Sequence, residues 1–191
     1  MSSATRYPKC LRFALAILLL GLVTTTAAAQ CSGPSASKTI FLVRHAEKAA
    51  DDPRDPTLTA AGQARAEALL HALENAGVTA LYATEFKRTQ LTLAPLAAKL
   101  HLETTIVPAR DVAGLIKRLT DARGGVSVVA GHSNSVDKVI DALGAGKVGP
   151  IDDAVYDNLF VVTISASGEA RLLKLKFGQP TPSSGKPMVM K

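Results

Sequence analysis

The sequence predicts an α/β protein, a three-layer α/β/α sandwich around a mostly parallel mixed sheet. Short β-branched runs bounded by breakers alternate with longer stretches of helical spacing, the order that builds a parallel sheet covered on both faces. Two of these runs, Thr39–Val43 and Val126–Ala130, are each followed two residues later by a histidine, His45 and His132. Near the end, Phe160–Ile164 and Ala170–Lys176 flank Ser-Ala-Ser-Gly, a hairpin signature that adds antiparallel pairing to the sheet.

The elements follow in order. Arg6, Lys9 and Arg12 precede an uninterrupted apolar stretch, Phe13–Val23, and small residues ending in Ala27-Ala28-Ala29. This is the three-part pattern of a secretory signal peptide over residues 1–29, cleaved after Ala29. Its eleven apolar residues are too few to span a bilayer as a helix. The expectation is therefore an exported chain, periplasmic or secreted, with no stable membrane insertion once the signal is removed. Cys31 raises lipid anchoring, but Gln30 stands before it where a small residue is expected, which argues against that reading.

Residues 30–38 form a Ser/Gly/Pro linker, and 39–177 form one domain. After the first strand, Thr39–Val43, the stretch Lys48–Pro56 holds three aspartates and two prolines and reads as a loop. A helix starts near Thr59, with Ala66, Leu69, Leu70 and Leu73 as its core stripe and Gly77 placed to end it. Val78–Thr84 is the second strand, and Glu85–Leu100 a helix that Pro95 is expected to break or kink. Thr104–Val107 is a third strand, and Asp111–Ala122 a helix with Asp111 as N-cap. The fourth strand, Val126–Ala130, leads through the His132 loop to a helix over Val136–Leu143 that stops at Gly144. Residues 178–191 are rich in Pro, Ser and Gly and read as a disordered tail.

At 191 residues the chain suits a single domain with a substantial core. Its formal charge of +6 falls to about +3 once Arg6, Lys9 and Arg12 are removed. There is no Trp, and no long basic run or basic stripe with interleaved aromatics, so nucleic-acid binding is not expected. Cys10 leaves with the signal, and the remaining Cys31 cannot form an intrachain disulfide. No Cys/His set has zinc spacing, and Asp51, Asp52 and Asp55 lack the order of a calcium loop, so they read as solvated. His71 and His101 sit away from strand ends and read as surface residues. Oligomeric state leaves no signature in the pattern.

Three strand ends carry the residues that point to chemistry: Arg44 and His45, then Arg88, then His132. In an open α/β sheet, ligands bind in the crevice at the carboxyl ends of the strands. Arg88 falls in the first turn of its helix, where free amides and the helix dipole already favour an anion. Arginine forks match phosphate oxygens, and a neutral imidazole is a competent nucleophile. Two arginines and two histidines converging there suit a phosphoryl group, whose transfer needs mainly positioning and charge neutralisation. Glu47 and Lys48 are expected at the entrance, with a solvated charge pair as the default reading. Ser133 and Asn134 are turn residues that could also donate to substrate.

These residues resemble the histidine phosphatase superfamily, in the branch related to cofactor-dependent phosphoglycerate mutase. Leu42-Val43-Arg44-His45-Ala46-Glu47 is similar to that family's Arg-His-Gly motif, with alanine for the usual glycine. Leu58-Thr59-Ala60-Ala61-Gly62 resembles its Leu-Thr-x-x-Gly helix start, Tyr82–Gln90 the segment with its second arginine, and Gly131-His132-Ser133-Asn134 its second-histidine motif. The four matches come in the family's order over roughly Ile40 to Phe160.

The resemblance implies a phosphoglycerate mutase-like fold and a phosphatase in which His45 attacks phosphorus. Arg44, Arg88 and His132 would hold the phosphoryl oxygens, and Ser133 and Asn134 would contact substrate, with no metal or other cofactor. The leaving group needs a proton, for which Asp111 is favoured over Glu85, although Asp111 serves equally as a helix cap. The substrate is expected to be a phosphorylated small molecule or phosphoprotein. Two other readings use the same residues: a mutase, disfavoured by the short chain, and a phosphate-binding protein without turnover.

Overall fold

The structure, a computed structural model, describes residues 36–122 and 124–181. The expected signal peptide, Cys31, most of the linker and tail residues 182–191 lie outside the described residues. Everything described belongs to one compact unit.

The chain runs β1 (Lys38–Arg44), α1 (Ala60–Leu73), β2 (Val78–Ala83), α2 (Lys87–Leu100), β3 (Thr104–Ile106), α3 (Val112–Asp121), β4 (Gly125–Gly131), α4 (Val136–Ala142), β5 (Asn158–Ile164) and β6 (Ala170–Lys176). The strands form one sheet in the order β3-β2-β4-β1-β5-β6. β1, β2, β3 and β4 pair in parallel, whereas β5 runs antiparallel to both β1 and β6. The sheet is therefore mixed and mostly parallel, as the alternation of strand and helix patterns predicts.

Strand alternation divides the apolar residues between two layers. Ile40, Leu42, Val129, Phe160 and Val162 face α3 and α4, where they meet Leu119, Val136, Val139 and Ile140. Val43, Leu81, Ala83, Val128, Ala130 and Leu159 face α1 and α2, packing on Leu69, Leu73, Leu93 and Leu96. Within the α1 stripe, Ala66, Leu69 and Leu73 are buried and Leu70 is half-buried.

Three details differ from the sequence reading. α2 starts at Lys87 and runs through Pro95 to Leu100 without a break. Pro95 removes one backbone donor, and the full burial of Leu93 and Leu96 on either side offsets that loss. Residues 178–181 are tied down rather than free: Arg65 donates to the Gln179 carbonyl, and the Thr181 amide to Asp157. Asp55 is not simply solvated, because it accepts from the Lys87 amide at the start of α2 at 2.9 Å. Phe86, the N-cap residue of α2, makes no side-chain capping bond, so the loop aspartate serves in its place.

α1 anchors the segment that follows β1. Its N-cap Thr59 accepts from the Gly62 amide, and the Thr59 amide donates to the Glu47 carbonyl at 2.9 Å. Gly62 lets that carbonyl come close, since a Cβ there would stand 2.3 Å from it. Arg65, buried one turn further on, grips the Glu47 carboxylate through Nε and Nη2 and reaches the Phe177 and Gln179 carbonyls. This arrangement predicts that Gly62→Ala destabilises the protein by about 1–3 kcal/mol through overpacking. Urea unfolding should show a lower midpoint with an unchanged slope; an unshifted midpoint would show that the Glu47 loop yields freely.

Candidate active site

The carboxyl ends of the parallel strands open into one cleft of about 580 Å³. Arg44, His45, Arg88, His132, Ser133 and Asn134 all line it, together with Lys48, Phe86, Ala109, Arg110, Asp153 and Tyr156. Strand register assembles the floor. Arg44 pairs with Gly131 across β1 and β4, and the His45 amide extends the ladder by donating to the Gly131 carbonyl at 2.9 Å. His45 and His132, each just beyond its strand, come to 5.4 Å between ring centroids.

The His45 Nδ1 lies 2.8 Å from the Ala46 carbonyl, which can only accept, so Nδ1 carries the proton and Nε2 keeps its lone pair. Burial is the largest influence on this ring. The Ala46 bond opposes it, the charges of Arg44, His132 and Arg88 reinforce it, and the pKa is lowered to about 3. Ala46 is itself fixed by its amide donating to Thr92 Oγ1, whose hydroxyl in turn donates to the Arg88 carbonyl. The loop that carries His45 and the first turn of α2 are thereby coupled.

For His132, burial first and then Arg88 lower the pKa to about 4, against an opposing pull from Glu85. Its Nε2 lies 3.0 Å from Thr84 Oγ1, which lies 2.8 Å from Thr89 Oγ1, and Thr89 donates to the Phe86 carbonyl at 2.7 Å. Since that carbonyl only accepts, the chain has one direction: Nε2–H of His132 donates to Thr84, and Thr84 to Thr89. Phe86 stands edge-on to the His132 ring at 5.3 Å and completes its apolar surroundings.

Both arginines are held by other groups but not saturated. Arg44 donates through Nη1 to the Asp152 and Val155 carbonyls, pairs with Asp153 at 3.4 Å, and stacks over Tyr156 at 4.3 Å. Arg88 stacks over Phe86 at 4.3 Å and lies 4.0 Å from Asp55. In each, Nε is buried and has no hydrogen-bond partner among the described residues. A buried unpaired donor is costly, and two guanidiniums beside two neutral imidazoles make this part of the cleft favourable for an anion. Among the described residues, no group of three or more His, Cys, Asp and Glu side chains is placed to hold a metal. None of their helices is long and apolar enough to cross a membrane.

The two carboxylates considered as proton donors stand elsewhere. Asp111 is exposed, caps α3 by accepting from the Gly114 amide, and borders a small apolar crevice of about 20 Å³ rather than the cleft. Glu85 is exposed and accepts from the Ala109 amide at 2.7 Å. Asp153 and Tyr156 are cleft residues that the sequence does not single out, and Asp55, read there as solvated, stands 4.0 Å from Arg88. Asp153 and Tyr156 sit on a loop with no motif, and the only signal was an aromatic in a chain with three Tyr. His71 is exposed, and His101, also exposed, closes α2 in the left-handed conformation.

Residues 40–111 match the histidine phosphatase superfamily (branch 1). No curated protein matches the chain significantly. Among solved structures, the protein histidine phosphatase SixA complexed with tungstate is 20% identical, with a TM-score of 0.61, over 72% of this chain and 96% of that one. The α-ribazole phosphatase from Shigella flexneri is 16% identical, with a TM-score of 0.59, over 72% of this chain and 96% of that one. At these identities the likeness is one of fold.

Both cleft histidines are held neutral, their pKa values lowered from 6.5 to about 3 and about 4. Below about pH 6.5 the unfolded chain takes up protons that the folded protein refuses, so this part of the stability is full above 6.5 and declines as pH falls. Nitrogen-15 NMR should find both rings neutral at pH 5, and His132→Asn should flatten the loss of stability between pH 6.5 and 4. A ring charged at pH 5 would contradict the assignment.

Proposed function

We propose that this chain is a phosphatase of the histidine phosphatase superfamily (branch 1), whose model matches residues 40–111, and that it hydrolyses phosphomonoesters through a phosphohistidine on His45. The observation that carries the reading is the floor of the cleft: a neutral His45 with a free Nε2, beside His132 and two guanidiniums whose buried Nε atoms have no partner among the described residues. SixA's complex with tungstate, itself a tetrahedral oxyanion, supports the same chemistry for this fold.

The His45 Nε2 lone pair attacks phosphorus, the ester P–O bond breaks, and the departing oxygen takes a proton. Nδ1–H stays on the Ala46 carbonyl throughout, so the ring remains oriented while it carries the phosphoryl group. Arg44 and Arg88 receive the equatorial oxygens, with His132 Nε2–H released from Thr84 as a further donor. Water then attacks phosphorus, the P–N bond breaks, and phosphate leaves with the imidazole neutral again. The fixed guanidiniums supply the charge neutralisation that a metal would otherwise give, so the reaction is metal-independent. Export rests on the pattern of residues 6–29.

Asp153 is the carboxylate that lines the cleft; its 85% exposed side chain accepts from Ser133 at 2.7 Å and pairs with Arg44 at 3.4 Å, surface contacts it can exchange for a leaving oxygen. It joins Asp111 and Glu85 as a source of the proton, and its position favours it.

With phenyl phosphate, wild type should turn over in the presence of a chelator and yield an acid-labile phosphoprotein; His45→Ala should lose both by at least about a hundredfold. Turnover that survives in His45→Ala would sink the covalent route, and loss with the chelator would sink metal independence. With an alkyl phosphate, which needs the proton most, Asp153→Asn should slow kcat by about tenfold or more and Asp111→Asn by less than about twofold. The reverse order would return the role to Asp111.

A further inference from the structure

The floor of the cleft suffices for one phosphoryl group, yet the cleft measures about 580 Å³ and falls within the roughly 300–1,000 Å³ of sites that enclose a whole small molecule. Most of that space lies beyond the reacting phosphorus, where the rest of the substrate must sit. Two further cations line it. Lys48 comes from the segment after β1, and Arg110 from the turn between β3 and α3. β1 and β3 lie three places apart in the sheet, roughly 14 Å at ordinary strand spacing, so the two cations approach from different sides of the opening.

Neither side chain has an ion-pair or hydrogen-bond partner among the described residues, although both are exposed and free to move. Several other cations are paired, as Arg65 is with Glu47, Lys147 with Asp141 and Lys176 with Asp157. Of the cleft's own residues only Asp153 is acidic, and it is occupied by Ser133 and Arg44. Four cations line the cleft against that one lining carboxylate, with Asp55 4.0 Å from Arg88, so the positive charge of Lys48 and Arg110 is left for the part of a substrate beyond its phosphoryl group. Such an arrangement selects partners by charge.

We propose that the rim of this cleft is a second anion subsite, and that the substrate is a phosphomonoester whose leaving group bears a further anionic group, held by Lys48 and Arg110. The proposal rests on the reading of the floor as a phosphoryl site. A carboxylate and a second phosphate share the required chemistry.

Benzylphosphonates test it without depending on turnover, because their P–C bond is not hydrolysed. Calorimetric titration at low ionic strength would compare benzylphosphonates bearing a ring carboxylate, a second phosphonate or a neutral carboxamide. Wild type should bind the better of the two charged compounds about fivefold tighter than the carboxamide. That ratio should shrink with added salt and fall towards one in the Lys48→Met/Arg110→Met double variant. The stronger charged arm identifies the kind of second anion. Equal binding of all three compounds, or a ratio that survives in the double variant, overturns the subsite and leaves the phosphoryl floor intact. No binding of any of the three overturns both.

Discussion

The parallel pairing of β1 with β4 sets the height of the whole site. Arg44 stands opposite Gly131, and the His45 amide reaches the Gly131 carbonyl, so both strands end at one level and deliver their histidines side by side. A slip of one residue would turn every β1 side chain to the other face. Ile40 and Leu42 on one layer and Val43 on the other forbid that slip, because each is almost wholly buried. The hydrophobic core therefore fixes the register, and the register fixes the imidazoles.

Burial then does a second job at the same place. It keeps both rings neutral, which leaves the His45 Nε2 lone pair available near neutral pH, and it encloses the Nε atoms of Arg44 and Arg88, which have no hydrogen-bond partner among the described residues. The guanidiniums cannot relax towards solvent, because Tyr156 and Phe86 stack on them and loop carbonyls hold Arg44. An arriving anion therefore meets donors already in place, and little reorganisation remains to be done.

The layered fold, the strand order of chemistry and the four floor residues were legible in the sequence because each sits where a strong local pattern changes. β-branched runs end at Arg44 and at Gly131, and a helical stripe begins near Arg88. Asp55 was misjudged because its task, capping α2 from a loop 32 residues earlier, is a long-range contact invisible to spacing. The loop with Asp153 and Tyr156 has no periodicity, and only the tertiary fold shows that it closes over Arg44. Pro95 reads as a breaker locally, but the packing of α2 on the sheet outweighs one absent hydrogen bond. Asp111 looked equally suited to cap and to catalysis, and the structure gives its carboxylate to the Gly114 amide.

The grip of Arg65 has a temporal side. Its partners are Glu47, two residues beyond His45, and the Phe177 and Gln179 carbonyls, 112 and 114 residues further along the chain. β1 likewise waits for both of its neighbours, β4 and β5. A nascent chain emerging from the ribosome thus presents His45 well before the segments that fix its surroundings. Such late closure of distant contacts slows folding. It also means that a chain ending before Phe177 lacks the carbonyls that hold Arg65 against Glu47.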